Sequence, residues 1–294
     1  MPDIVDNEVC AVIVTYNATE DLLKNIAAIR PQVGHLVLVD NGSRPEGIAL
    51  VERARANFDC ELIRNDSNLG IATALNIGVD YAVYHGCKGD IFFDQDSIVG
   101  DREYVASMLQ VYNQSNRSRR VAIVVPRYLD RSSGAEMPSA KASDGCLLTS
   151  ITSGTFIPVH IFGALGLHDE SLYMDYVDIE FSLRCRRAGY SIVEAPRAIL
   201  RHSLGELTKH RLGTRVFTST HHNSNRRYYI TRNRLLLMRK YWRDWRWFSR
   251  EVRAFGLELI KVALVERNKG DKLHNVVRGV VDAYKNRTGE RIAL

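Results

Sequence analysis

Along the first half of the chain, short runs of β-branched and apolar residues alternate with longer amphipathic stretches. Residues 9–15, 35–39, 61–65, 90–93 and 121–125 are strand-like runs, short and mostly built around β-branched and apolar residues. Residues 20–29, 46–57, 71–84 and 102–113 carry apolar positions at helical spacing. Strands alternating with helices of this length predict βαβ units, hence an α/β fold with a mostly parallel sheet flanked by helices. Residues 126–150 are polar and rich in Gly and Ser, which predicts an irregular excursion. A helix over 159–165 follows, then an amphipathic helix over 177–188 ended by Gly189. Two short strands are expected over 191–194 and 198–203. The stretch 204–222 has no clear period and reads as a loop. From Asn223 the pattern is helical nearly to the end, a C-terminal helical extension.

In parallel sheets ligands bind beyond the carboxyl ends of the strands. The expected strand ends read Thr15-Tyr16-Asn17, Asp40-Asn41-Gly42-Ser43, Asn65-Asp66-Ser67-Asn68-Leu69-Gly70 and Asp94-Gln95-Asp96. Four polar or acidic clusters in register fit a nucleotide pocket built from loops. Asp94 and Asp96 offer two carboxylates to Mg²⁺ or Mn²⁺, ions that take oxygen ligands and share them with phosphates. His202, at the end of the strand expected over 198–203, would complete that set or be structural. Asp40 either accepts the imide N–H of a pyrimidine or belongs to an Asp-Asn-Gly turn. Asp175, Asp178 and Glu180 open the helix at 177. Acidic residues suit a helix N-terminus, and a carboxylate there also suits a general base toward a sugar hydroxyl.

Composition narrows the classes. With 294 residues, 45% hydrophobic and 25% charged, the chain can hold one large domain and a helical appendage. Five scattered cysteines without a C-x-x-C pair argue against a disulfide framework or a zinc site, and for a reducing compartment. The N-terminus has no apolar leader, and no run approaches the ~18 apolar residues of a membrane span. Charge is split: residues 201–294 hold 22 Lys and Arg against 8 Asp and Glu, a net of +14, and residues 1–200 carry −8. The basic part interleaves aromatics, as in Arg226-Arg227-Tyr228-Tyr229 and in the Trp242–Arg253 stretch with Trp242, Trp245 and Trp247 among arginines. Such a pattern suits an anionic membrane interface, nucleic acid, or a helix–helix contact with outward Arg.

The ordered segments AVIVTYN, LVLVDNGS, NDSNLGIATALNIG, FFDQDS, SGTFIP, LYMDYVDIEFSLRCRRAGY and RRYYITRN resemble family 2 glycosyltransferases, and among them the bacterial rhamnosyltransferases. The resemblance implies a GT-A fold over 1–222 and a basic, aromatic-rich helical region over 223–294. It implies that Thr15, Tyr16, Asn17 and Asp40 line the nucleobase and ribose, with Asn68 and Gly70 beside the nucleotide. Asp94 and Asp96, with His202, would face the metal and diphosphate. Ser153, Gly154, Asp175 and Arg232 would lie near donor sugar or acceptor. Many relatives have Glu-Asp at the helix start; here Val177-Asp178 keeps the Asp, which becomes the expected base ahead of Asp175. The implied reaction is an inverting displacement from dTDP-β-L-rhamnose to a glycan on a lipid carrier, in surface polysaccharide synthesis. The expected setting is the cytoplasmic face of a membrane, reached through the basic C-terminal region and without nucleic acid.

The nearest alternative keeps the fold and takes a UDP-sugar, a galactofuranose or N-acetylhexosamine donor. A sugar-phosphate nucleotidyltransferase would carry a Gly-rich basic loop after the first strand, which TYNATED is not. A nucleic-acid binder would leave the acidic strand ends unexplained.

Overall fold

The computed structural model describes residues 2–137, 139–202, 207–212, 215–220, 223–264, 266 and 268–292. Two compact units emerge: residues 1–170 with 177–203, and residues 171–176 with 204–294.

The first unit runs β1 (Val9–Thr15), α1 (Asp21–Ile29), β2 (His35–Asp40), α2 (Pro45–Asn57), β3 (Glu61–Arg64), α3 (Ile71–Tyr84), β4 (Gly89–Asp94) and β5 (Ile98–Val99). It continues with α4 (Tyr104–Ser115), β6 (Val121–Asp130), β7 (Phe156–Pro158), α5 (Val159–Leu165), α6 (Val177–Arg187) and β8 (Ser191–His202). Every residue of β1 is buried, which explains its unbroken apolar run: a central strand covered on both faces has no polar side to alternate with. The short β3 lies at one edge, and its terminal Glu61 and Arg64 are exposed, which discourages pairing with another chain. Helix α1 buries Leu22, Ile26 and Ile29 along one face, and α2 starts with Pro45, whose missing N–H costs nothing there.

Strand order is β3-β2-β1-β4-β7-β6-β8-β5. The first four strands are mutually parallel. The chain moves outward from β1 through β2 to β3, then returns to place β4 on the other side of β1. That reversal creates a crevice at the carboxyl ends of β1 and β4, the place where open α/β sheets bind ligands. Thr15 is level with Asp40, and Val14 with Asp94, so these strands end together.

The second half of the sheet differs from the expected parallel continuation. β7 inserts antiparallel between β4 and β6, β6 and β8 are parallel, and β5 is an antiparallel edge. The two strands expected over 191–203 are one strand, β8. Its register with β6 jumps from Ala195 to Ile199, across Pro196, which has no N–H for the ladder. β6 also extends to Asp130, into the stretch read as irregular. Asp90 sits mid-sheet on β4. It is wholly buried with neither oxygen hydrogen-bonded, and burial raises its pKa well above the ordinary carboxylate value.

The second unit contains β9 (Leu207–Leu212), β10 (Arg215–Thr220), α7 (Ser224–Lys240), α8 (Trp245–Leu264) and α9 (Lys269–Tyr284). β9 and β10 pair antiparallel within the stretch read as a loop. Residues 203–206, 213–214 and 221–222 of that stretch lie outside the described residues. The Asn223 side chain caps α7 by accepting the Arg226 N–H at 2.7 Å.

The basic run of α7 does not face outward as the sequence suggested. Arg227, Arg232 and Arg234 are all buried. Arg227 pairs with Glu258 and Glu266, Lys272 pairs with Glu266 at 2.7 Å, and Arg234 pairs with Glu251 and Glu258 at 3.1 and 2.7 Å. Three cations and three carboxylates therefore neutralise one another inside the unit. Burial of charge is tolerable only on such terms.

Candidate active site

The strand-end clusters converge into one polar network in the first unit. Thr15 Oγ1 donates to Asp40 Oδ1 at 3.0 Å, and the Ser43 N–H donates to Asp40 Oδ2 at 3.0 Å. The Ser43 hydroxyl also donates to Asp40 Oδ1, and accepts the Asn17 N–H at 2.8 Å. Asn17, held at φ 52°, accepts the Arg44 N–H on its own Oδ1 at 2.8 Å. Asp40 is thus almost wholly buried and braces the turn, with Oδ2 accepting one of these bonds.

The third strand end is tied to the second through Asn41. Its amide donates to Asn68 Oδ1 at 3.0 Å and to the Gly70 carbonyl at 3.2 Å, while its Oδ1 accepts the Leu69 N–H at 3.0 Å. Gly70, at φ 86°, is the N-cap of α3, a conformation that other residues adopt at a cost. Tyr16 stands at the mouth, 39% exposed, and its backbone is clamped by Gln95, which accepts from its N–H at 2.8 Å and donates to its carbonyl at 3.2 Å. Sequence reasoning overlooked Gln95, Ser43 and Asn41; each lay inside a quoted motif, but only pairing across strands reveals what it holds.

At the end of β4, one ligand atom each from Asp94, Asp96 and His202 lies within 4.8 Å of the others. His202 Nε2 is 3.9 Å from Asp94 Oδ2. The imidazole is nearly buried and the Asp94 side chain is 42% exposed, so the cluster has a protein-backed side and an open side. Ligands on an ion with bonds of about 2.1 Å lie about 3–4 Å apart, so small side-chain movements would close this set on a cation. Two carboxylates and an imidazole suit Mn²⁺ or Mg²⁺ better than a thiol-preferring metal.

Ser153 and Gly154 adjoin this cluster. Ser153 Oγ accepts the Asp94 N–H at 3.2 Å, and the Gly154 N–H donates to the Phe92 carbonyl at 2.6 Å. Gly154 has φ 78°, and a Cβ there would lie 2.5 Å from the Tyr104 hydroxyl and 2.7 Å from Leu200. Tyr104 and Tyr128 donate to the carbonyls of Gly154 and Ser153, both at 2.9 Å. Burial raises both phenols well above their ordinary pKa, which keeps them protonated as donors, and the Asp178 and Asp94 carboxylates add to the effect on Tyr128.

Three carboxylates near the start of α6 have different fates. Glu180 is buried and paired with Arg184 at 2.7 Å. Asp175, in the second unit, is engaged by Arg226 through contacts of 2.9–3.2 Å. Asp178 accepts the Ile179 N–H at 2.8 Å and borders a water-sized void with Phe92, Thr152, Thr155, His168 and Phe181. Arg232 is fully buried in the second unit. It donates to the carbonyls of Leu172 and Gly289 and to Asn233 Oδ1, contacts with its own chain rather than with an open pocket.

Residues 10–142 match the model of glycosyl transferase family 2. Over 304 aligned residues the chain is 28% identical to the dTDP-rhamnosyl transferase RfbF of Shigella flexneri, covering 97% of this chain and 98% of that protein. It is 24% identical to the low-salt glycan biosynthesis hexosyltransferase Agl10 of Haloferax volcanii, over 63% of this chain and 64% of the other. Among solved structures, S. aureus TarS in complex with UDP-GlcNAc superimposes with a TM-score of 0.60 at 12% identity, covering 95% of this chain and 81% of that one. The mannosyltransferase PcManGT of Pyrobaculum calidifontis, in complex with GDP-Man and Mn²⁺, does so with 0.57 at 14% identity, over 97% and 79%. The mixed eight-stranded sheet is therefore of the GT-A kind. With polar strand-end loops and a carboxylate–imidazole cluster on that sheet, and with residues 10–142 similar to glycosyl transferase family 2, the chain is a glycosyltransferase.

Proposed function

We propose that the protein transfers L-rhamnose from dTDP-β-L-rhamnose to a saccharide acceptor, borne on a lipid carrier, with inversion at the anomeric carbon. The observation that carries this reading is the likeness to a dTDP-rhamnosyl transferase over nearly the whole of both chains, rather than over the strand-end loops alone. Tyr16, Asn17, Asp40, Asn68 and Gly70 would bind the nucleoside. Asp178 would take the proton from the acceptor hydroxyl as its oxygen attacks the anomeric carbon, while the bond to the diphosphate breaks on the opposite face. With one base and a single displacement, configuration inverts. A divalent ion held by Asp94, Asp96 and His202 would offset the charge of the leaving diphosphate. The purified protein is expected to use dTDP-rhamnose at least ~10-fold better than any UDP-sugar in kcat/KM, the scale of a single recognition contact. Preference for a UDP-sugar would overturn the donor and leave the enzyme class standing.

The second unit is proposed to meet an anionic membrane surface. No helix among the described residues is long and apolar enough to cross a membrane. Trp245, Arg246, Arg250, Arg253, Leu257, Ile260 and Leu264 are exposed on α8, while its Glu251 and Glu258 turn inward to Arg234 and Arg227. Basic and apolar groups outward with acids inward suit anionic headgroups. Co-sedimentation with phosphatidylglycerol-containing vesicles should exceed that with phosphatidylcholine alone and weaken with salt. Equal or absent binding would remove the membrane from the scheme.

A further inference from the structure

Six residues, Ser171–Tyr176, group with the second unit and lead directly into α6, whose second residue is Asp178. Their backbone is unusual. Tyr173, Asp175 and Tyr176 have φ of 65°, 55° and 66°. Elsewhere among the described residues, the non-glycine positions with positive φ are Asn17, Asn268 and Asn286. Asparagine tolerates this region; tyrosine does not. Three such residues within four positions persist only where their surroundings impose them.

Those surroundings are on α7. Asn233 Nδ2 lies 2.9 Å from the Leu172 carbonyl, 2.7 Å from that of Met174 and 2.9 Å from that of Asp175. One buried side-chain amide thus shares its two hydrogens among three carbonyls of the strained segment. Arg232 donates to the Leu172 carbonyl at 2.9 Å, and Asn233 Oδ1 accepts from Arg232 Nε at 2.9 Å, which orients the amide. The Tyr176 hydroxyl donates to Glu251 at 2.8 Å and accepts from Arg234. Asp175 is gripped from the surface by Arg226. A chain link needed only to connect two elements would relax to ordinary backbone angles. This one is held at both ends and in the middle, two residues ahead of the carboxylate assigned as base.

We infer that Asn233 is a positioning residue for the transfer step: its amide fixes the backbone that delivers Asp178. The inference rests on the reading of Asp178 as base. Asn233→Ala is expected to lower kcat about 10- to 100-fold, the scale of a catalytic group displaced by about an ångström, with the Kd for dTDP unchanged within about twofold. In an Asp178→Asn background the same change should cost less than about twofold more, because both act through one group. Arg226→Ala, at a half-exposed side chain, loosens the same segment without emptying a buried site; it should show the same pattern at about threefold. If Asn233→Ala does not fold, Arg226→Ala carries the test. Losses that add to that of Asp178→Asn, or that appear in nucleotide binding, would overturn the positioning role. An Asp178→Asn enzyme with near wild-type turnover would instead overturn the base assignment, a result distinct from either.

Discussion

Asp178→Asn should reduce kcat by about 10²–10⁴-fold while leaving the affinity for dTDP nearly unchanged. The size follows from the chemistry. A sugar hydroxyl is a weak nucleophile, and removal of its proton in the transition state is what a positioned carboxylate contributes. The substitution is isosteric, and an amide oxygen can still accept the Ile179 N–H that Asp178 accepts at 2.8 Å, so the helix start should survive. Of the neighbouring acids, Glu180 is buried against Arg184 and Asp175 belongs to the second unit with Arg226, while Asp178 sits at the start of α6 in the first unit. Steady-state kinetics with dTDP-rhamnose, beside calorimetric nucleotide binding, checks the split. Near wild-type turnover in Asp178→Asn with a dead Asp175→Asn would mean that the base is the other carboxylate.

Asp96→Ala is expected to abolish metal-stimulated turnover, and EDTA should silence the wild-type enzyme. Asp94, Asp96 and His202 put two carboxylates where the leaving diphosphate is proposed to lie. Without a cation, like charges a few ångströms apart would repel by several kcal/mol even at an effective dielectric of about 20. Mn²⁺ binding followed by electron paramagnetic resonance gives a readout independent of turnover. His202→Ala should weaken it by about 10-fold, because the nearly buried imidazole backs the cluster. Full activity in EDTA, or unaltered Mn²⁺ binding by Asp96→Ala, would show that the three side chains do not act as a metal site.

The better part of the first unit was legible from residue order. β1, α3 and α5 have the bounds that periodicity predicts, and β2 and β4 differ from them by a residue or so. Strands buried on both faces leave unbroken apolar runs, and helix starts carry local signals such as Pro45 and Gly70. β5 and β7, of two and three residues, left no such trace. They are too short for a period and exist because β8 and β4 offer free edges to them. The quoted site residues behaved likewise. Thr15, Asp40, Asp94 and Asp96 stood out by type and place, but Gln95 drew no notice because its role is a clamp on Tyr16, 79 residues away.

By itself, then, the sequence determined the alternation of strands and helices, the acidic and polar strand ends, and the surplus of positive charge in the last third. Those are local properties, written in the spacing and type of neighbouring residues. Tertiary structure alone decided which charges meet. Arg227 and Arg234 look like surface cations in a basic, aromatic run. They are interior because Glu251, Glu258 and Glu266, on or just beyond α8, reach them from 17 to 39 residues away. The same holds for Asp175, just before α6. Glu180 meets Arg184 one helical turn further on, a pairing that local spacing already offers. Asp175 meets Arg226 from 51 residues away, which only packing decides. A charged side chain buried or engaged with a partner is held by that partner's position in space, and position in space is a property of packing rather than of order along the chain.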